Sequence, residues 1–325
     1  MKLFTLIFCL LVISFSTDSL GRDKIIIAVH GLSNKPPARK YETWWKTSIL
    51  EGLKGIDSPY NDFEFTLFYW ADMLYKDPMH NDTNFYFDDR FDRETYTVGK
   101  SKPSVKFNWF KDQWNEAYVR GKSFAVKRLY IPVPDELTNM VLEKTLRDLA
   151  FYFENKVFVK SHDNETMLVR DALQRELRLI IKNHKDKDIL LIGHSMGSII
   201  AYDVLNEFQF SDPNIKIKYF VTIGSPMGIP PVSEKMKAFY QTKLLIIPTN
   251  ITKGWINFSD EKDNAAFDPI LSDNFVRMEK GIEITDELVD NDYLTPTGIA
   301  NHHKEYGYMR TKKFARLVQD FLNDK

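Results

Sequence analysis

The sequence predicts an α/β fold, a mainly parallel sheet flanked by helices. Three observations predict it. The runs 24–29 (Lys-Ile-Ile-Ile-Ala-Val) and 189–192 (Ile-Leu-Leu-Ile) are almost continuously apolar, as strands buried on both faces of a parallel sheet are. Strand-like and helix-like segments alternate along the chain, the order that builds parallel sheets with covered faces. The second run ends in Gly193-His194-Ser195-Met196-Gly197, and an apolar helical stretch follows at Ser198-Ile199-Ile200-Ala201-Tyr202. A G-x-S-x-G turn therefore joins a strand to a helix.

The elements follow in order. Strand 24–29 runs straight into His30-Gly31-Leu32. Residues 44–53 have helical spacing, and 63–70 alternate as a second strand, ending at Ala71-Asp72. From 73 to 135 the rhythm breaks. Rings such as Phe85, Tyr86, Phe91, Trp109 and Trp114 stand among charged residues. This aromatic-rich insertion is expected to act as a lid or substrate wall over the sheet edge, or else as plain structural elaboration. Helical patterns return at 135–153 and, strongly amphipathic, at 164–184. The strand 189–192 and its helix 196–208 come next. Residues 215–223 form another strand, closed by Gly224-Ser225-Pro226. The stretch 244–247 is apolar, 255–258 is strand-like, 282–284 can pair late, and a helix over 308–322 closes the chain.

Composition sets the frame. Of 325 residues, 43% are hydrophobic, enough for a sizeable core. With 44 basic and 45 acidic side chains the net charge is −1, which gives no sign of a nucleic-acid partner. Met1-Lys2, the apolar stretch 3–15 and the small polar residues that follow read as a secretory signal peptide over 1–21. The domain then spans 22–325, secreted or periplasmic, with no stable membrane span after cleavage, the apolar stretch being short for one. Cys9, the only cysteine, lies in that leader, so the mature chain has no disulfide or thiol chemistry. N-x-S/T sites start at Asn81, Asn164, Asn250 and Asn257. No metal or cofactor is expected. There is no H-E-x-x-H and no glycine-rich phosphate loop, and no third ligand is indicated for His302 and His303.

Val29-His30-Gly31-Leu32, Gly193 to Gly197, the loop Thr222-Ile223-Gly224-Ser225-Pro226 and the late histidines together resemble the α/β-hydrolase superfamily, close to its lipase and esterase branch. The resemblance covers 24–72 and 164–325, and it implies a sheet without the first strands that many members carry. It also implies a Ser, Asp or Glu, then His order along the chain. Ser195 is the expected nucleophile. Only His302 and His303 follow it, and the other histidines precede it. His303 is the expected base, with His302 as the alternative. The acid is expected on the loop after strand 255–258, at Asp263 or alternatively Asp260, with Asp286 or Asp290 still open. The N–H groups of Met196 and Leu32 would form the oxyanion hole, and His30 would tie its own loop through hydrogen bonds.

The expected function is a secreted serine hydrolase that cleaves a carboxylic ester, an acyl lipid or a small acyl ester, with no cofactor. An amidase, thioesterase or acyltransferase with the same residues is the alternative, as is a non-catalytic binding module on a hydrolase shell.

Overall fold

A computed structural model describes residues 22–79, 95–99, 147–154, 156–263, 266, 268–278 and 281–324. The expected leader and most of the expected lid lie outside these residues.

In chain order, β1 (Lys24–Val29) leads to α1 (Ala38–Lys54), β2 (Phe65–Phe68) and the single turn α2 (Ala71–Leu74). Farther on come α3 (Arg147–Phe153), β3 (Phe158–Lys160), β4 (Thr166–Leu168) and α4 (Val169–Asn183). Next are β5 (Asp188–His194), α5 (Met196–Ser211), β6 (Ile217–Ile223) and α6 (Pro230–Phe239). The remaining elements are β7 (Leu245–Ile246), β8 (Ile251–Ser259), β9 (Phe275–Val276), β10 (Ile284–Leu288), α7 (Glu305–Met309) and α8 (Lys312–Asn323).

Six strands form the central sheet in the order β10-β8-β6-β5-β1-β2, every neighbouring pair parallel. Side chains alternate across it. Ile25, Ile27 and Val29 of β1 join one core cluster with Leu173, Leu177 and Ile181 of α4 and the buried apolar residues of α5. Ile26 and Ala28 join the other, with Tyr41, Trp45 and Ile49 of α1 and Phe314, Val318 and Phe321 of α8. The sheet is thus buried on both faces, which explains why β1 and β5 read as continuous apolar runs. Each Ile, Val, Leu or Phe side chain among them contributes about 1.5–3 kcal/mol when fully buried.

Between α4 and α5 a charged pair is sealed into the first cluster. Arg170 Nη2 donates to Asp203 Oδ2 at 2.5 Å, with side-chain exposures of 3% and 0%. Tyr152, Tyr240 and Gln174 also donate to that carboxylate.

Several elements depart from the sequence reading. α1 starts at Ala38, because its first turn places only Tyr41 in the core and shows no periodicity. α4 starts at Val169, since Thr166–Leu168 pairs antiparallel with Phe158–Lys160 through a turn at Asn164, φ 67°. α6 was not foreseen; Pro230 and Pro231 open it, prolines being tolerated in a first turn. The closing helix is two helices, α8 being capped by Thr311, whose side chain accepts from the Phe314 N–H.

Asn164 is exposed, whereas Asn250 and Asn257 are buried and donate to the carbonyls of Leu205 and Pro269. Those two positions cannot take a glycan in the folded chain. Among the described residues no helix is long and apolar enough to cross a membrane.

Candidate active site

Ser195 stands between β5 and α5 with φ 51° and ψ −126°, a conformation that non-glycine residues rarely hold. The surrounding backbone imposes it. The Ser195 N–H donates to the Ile223 carbonyl at 3.1 Å, fixing the turn to the end of β6. A Cβ on Gly197 would lie 2.2 Å from the Val29 carbonyl oxygen, so only glycine lets α5 start this close to β1. Met196 is the first residue of α5, and its N–H has no intrahelical acceptor.

The loop after β1 passes directly over the serine. A Cβ on Gly31 would stand 2.8 Å from Ser195 Cβ. Leu32, half-buried, comes next. The loop is anchored beyond that point, where the Ser33 N–H donates to Asp148 Oδ2 at 2.6 Å and Tyr75 donates to Asp148 Oδ1 at 2.6 Å. His30 braces the same loop from below. The Trp70 N–H donates to His30 Nε2 at 3.0 Å, which leaves the proton on Nδ1, facing the Gly31 carbonyl at 2.8 Å. Burial, with help from Lys35, pushes the His30 pKa well below 6.5, so the ring is neutral.

The loop after β8 carries Asp260 and Asp263; the loop before α7 carries His302 and His303. The structure pairs them separately. His303 Nδ1 lies 2.8 and 3.0 Å from the two Asp263 oxygens. The Asp263 side chain is fully buried while His303 keeps 29% exposure, so one end of the ring is clamped and the other is open. With Nδ1–H held by the carboxylate, Nε2 is left as the basic nitrogen. Gly224, φ 55°, follows Ile223, and a Cβ there would lie 3.0 Å from Asp263 Oδ2 and 3.1 Å from His303 Nδ1. The His303–Asp263 pair therefore borders the residue next to Ile223, whose carbonyl holds Ser195.

His302 faces elsewhere. Its Nδ1 lies 3.3 Å from Asp260 and 3.1 Å from the Asn291 carbonyl. Asp260, Asp290 and His302 form one group whose ligand-type atoms lie within 4.8 Å of one another. The carboxylates that the sequence did not indicate are thus present. However, a carbonyl can only accept, so His302 Nδ1 bears a proton there, and Asp260 also accepts the Asn291 N–H at 2.6 Å. The group works as a brace between loops. Asp286 accepts from Asn257 and from the N–H groups of Leu271 and Ser272, away from His303.

Sequence reasoning missed four residues of this surround. Tyr308 donates to Asp263 Oδ2 at 2.7 Å and accepts the Asp260 N–H at 3.1 Å; burial and then Asp263 raise its pKa well above 10. Asn291 Nδ2 donates to the carbonyls of His302 and Lys304, both at 2.8 Å. His194 and Asp148 complete the set. Tyr308 alone carried a signal, its place in the same short segment as the histidines.

A mainly parallel sheet covered by helices, with a strained serine where a central strand turns into a helix, is the α/β-hydrolase fold. Hydrolase is the general activity class that goes with it. More particularly, residues 153–311, just under half of the chain, match the family described as a PGAP1-like alpha/beta domain. That stretch includes Ser195, Asp263 and His303 but not Leu32. Among solved structures, the chain is similar to a "putative cell surface hydrolase" from Lactobacillus plantarum WCFS1, at 11% identity over 94% of this chain and 93% of that one, TM-score 0.37. It is also similar to a "putative hydrolase" from Agrobacterium vitis S4, at 14% identity over 49% of this chain and 74% of that one, TM-score 0.28. No curated protein matches the chain.

Proposed function

We propose that the chain is a serine hydrolase that cleaves a carboxylic ester, an acyl lipid or a small acyl ester. The observation that carries this reading is the clamped pair His303–Asp263, against Gly224, the residue after the Ile223 carbonyl that holds the strained Ser195. Ser195 Oγ attacks the acyl carbon as His303 Nε2 takes its proton. The N–H groups of Leu32 and Met196 hold the oxyanion, and Asp263 stabilises the imidazolium. His303 returns the proton to the departing alcohol, leaving an acyl-enzyme. Water then attacks, again deprotonated by His303, and frees the acid and the serine. The apolar leader over 1–21 supports export of the chain, to the periplasm or the exterior.

A fluorophosphonate probe tests the nucleophile. The wild-type chain is expected to take the label and Ser195→Ala to lose it; equal labelling of both refutes the assignment. A panel of ester, thioester and amide substrates tests the bond, with turnover expected to be fastest on the ester. N-terminal sequencing of the exported chain, expected to begin after the leader, tests localisation.

A further inference from the structure

The residue before the nucleophile reaches the loop that carries the base. His194 Nε2 lies 2.8 Å from the main-chain carbonyl of His303, and the two rings are 4.8 Å apart between centroids. A carbonyl can only accept, so Nε2 carries the proton and donates it. His194 is itself held. It is 4% exposed and lies edge-on to Trp45, so packing fixes the ring, while Nδ1 makes no hydrogen bond among the described residues.

We propose that His194 is a positioning residue, which uses its Nε2–H to fix the height of the His303 loop above the Ser195 turn. This inference rests on the proposed roles of Ser195 and His303. The spacing of nucleophile and base is otherwise a matter between two separate loops. His194 sits rigidly at the end of β5, so its hydrogen bond transmits the position of the strand end to the base. Asn291 holds the carbonyls on either side of His303, at His302 and Lys304. His194 supplies the bond at His303 itself. Burial keeps His194 neutral, its pKa lowered to about 3, so the donor stays a neutral imidazole through the working pH range. A small displacement of a catalytic group is enough to lose a large part of the rate.

The test compares His194→Phe, His194→Gln and His194→Asn in the full chain, with kcat and KM measured on a p-nitrophenyl ester. Phe keeps the ring and removes the donor, and kcat is expected to fall about 10- to 100-fold with KM within about twofold. Gln places an amide N–H near the Nε2 position and is expected to restore kcat to within about threefold. Asn is one methylene shorter and is expected to stay impaired. If His194→Phe fails to fold, the Gln and Asn pair decides by itself. Equal kcat for Gln and Asn, or a wild-type kcat for Phe, overturns the inference. Ser195→Ala separates this from the underlying reading. Full activity in that variant overturns the proposed function; an inactive Ser195→Ala beside a uniform His194 series overturns only the positioning role.

Discussion

His303 and Asp263, 40 residues apart in sequence, meet at 2.8 Å, while their neighbours His302 and Asp260 meet at 3.3 Å in a separate pairing. The same two loops therefore carry two imidazole–carboxylate pairs with different surroundings. The Asp263 pair borders Gly224 and the serine turn. The Asp260 pair is tied to the Asn291 backbone.

The two pairs are expected to separate cleanly by mutation. Asp263→Asn removes the acceptor that holds the His303 tautomer, and kcat should fall about 10³- to 10⁴-fold. Asp260→Asn disturbs only the brace, and kcat should stay within about tenfold of wild type. Steady-state kinetics on one ester decides it, and a larger loss for Asp260→Asn would reverse the assignment of acid.

Much of this site was legible from sequence, for reasons of distance along the chain. The serine turn announces itself within nine residues because strand, glycines and helix are local. The candidate base was confined to two positions because only two histidines follow Ser195. The acid could not be resolved between Asp260 and Asp263, since both leave the same strand and only the fold of the loop aims them. Asp148 was invisible: it holds the Ser33 backbone from 115 residues away. His194 read only as the variable position of a motif, because its partner is a main-chain carbonyl and leaves no trace in side-chain chemistry. The missed hairpin at 158–168 has short strands of mixed exposure, which give no clear alternation.

Stability is expected to fall in mild acid. His30 and His194 are buried and neutral, with His30 well below 6.5 and His194 lowered to about 3. Unfolded, both take up protons as pH drops through 6.5. The unfolded chain then binds more protons than the native one, so stability is complete above that pH and is lost below it. Each histidine contributes a slope of about 1.4 kcal/mol per pH unit until its native pKa is reached. Glu305, also lowered, adds its loss only below about 4.5. Urea midpoints should be level from pH 8 to 7 and decline between 6 and 5. A midpoint unchanged down to pH 5 would contradict two buried neutral histidines.

The Arg170–Asp203 pair should behave as a single unit. Asp203→Ala leaves a buried guanidinium without its carboxylate, and Tyr152, Tyr240 and Gln174 without their acceptor. A loss of about 3–5 kcal/mol is expected by urea denaturation. Replacing both partners by apolar residues of similar size should recover the part due to the unpaired guanidinium, while the three other donors stay without their acceptor. A double variant no more stable than Asp203→Ala would argue against an electrostatic origin.

The parallel sheet also makes the site depend on contacts far apart in sequence. β1 pairs with β5, which starts only at Asp188, and His194 at the end of β5 meets the His303 loop across 109 residues. Pairings of such long sequence separation form slowly and late. Ser195 and His303 are therefore brought together only once these long-range pairings have formed. The proposed site is thus a product of the whole fold, and no local segment carries it alone.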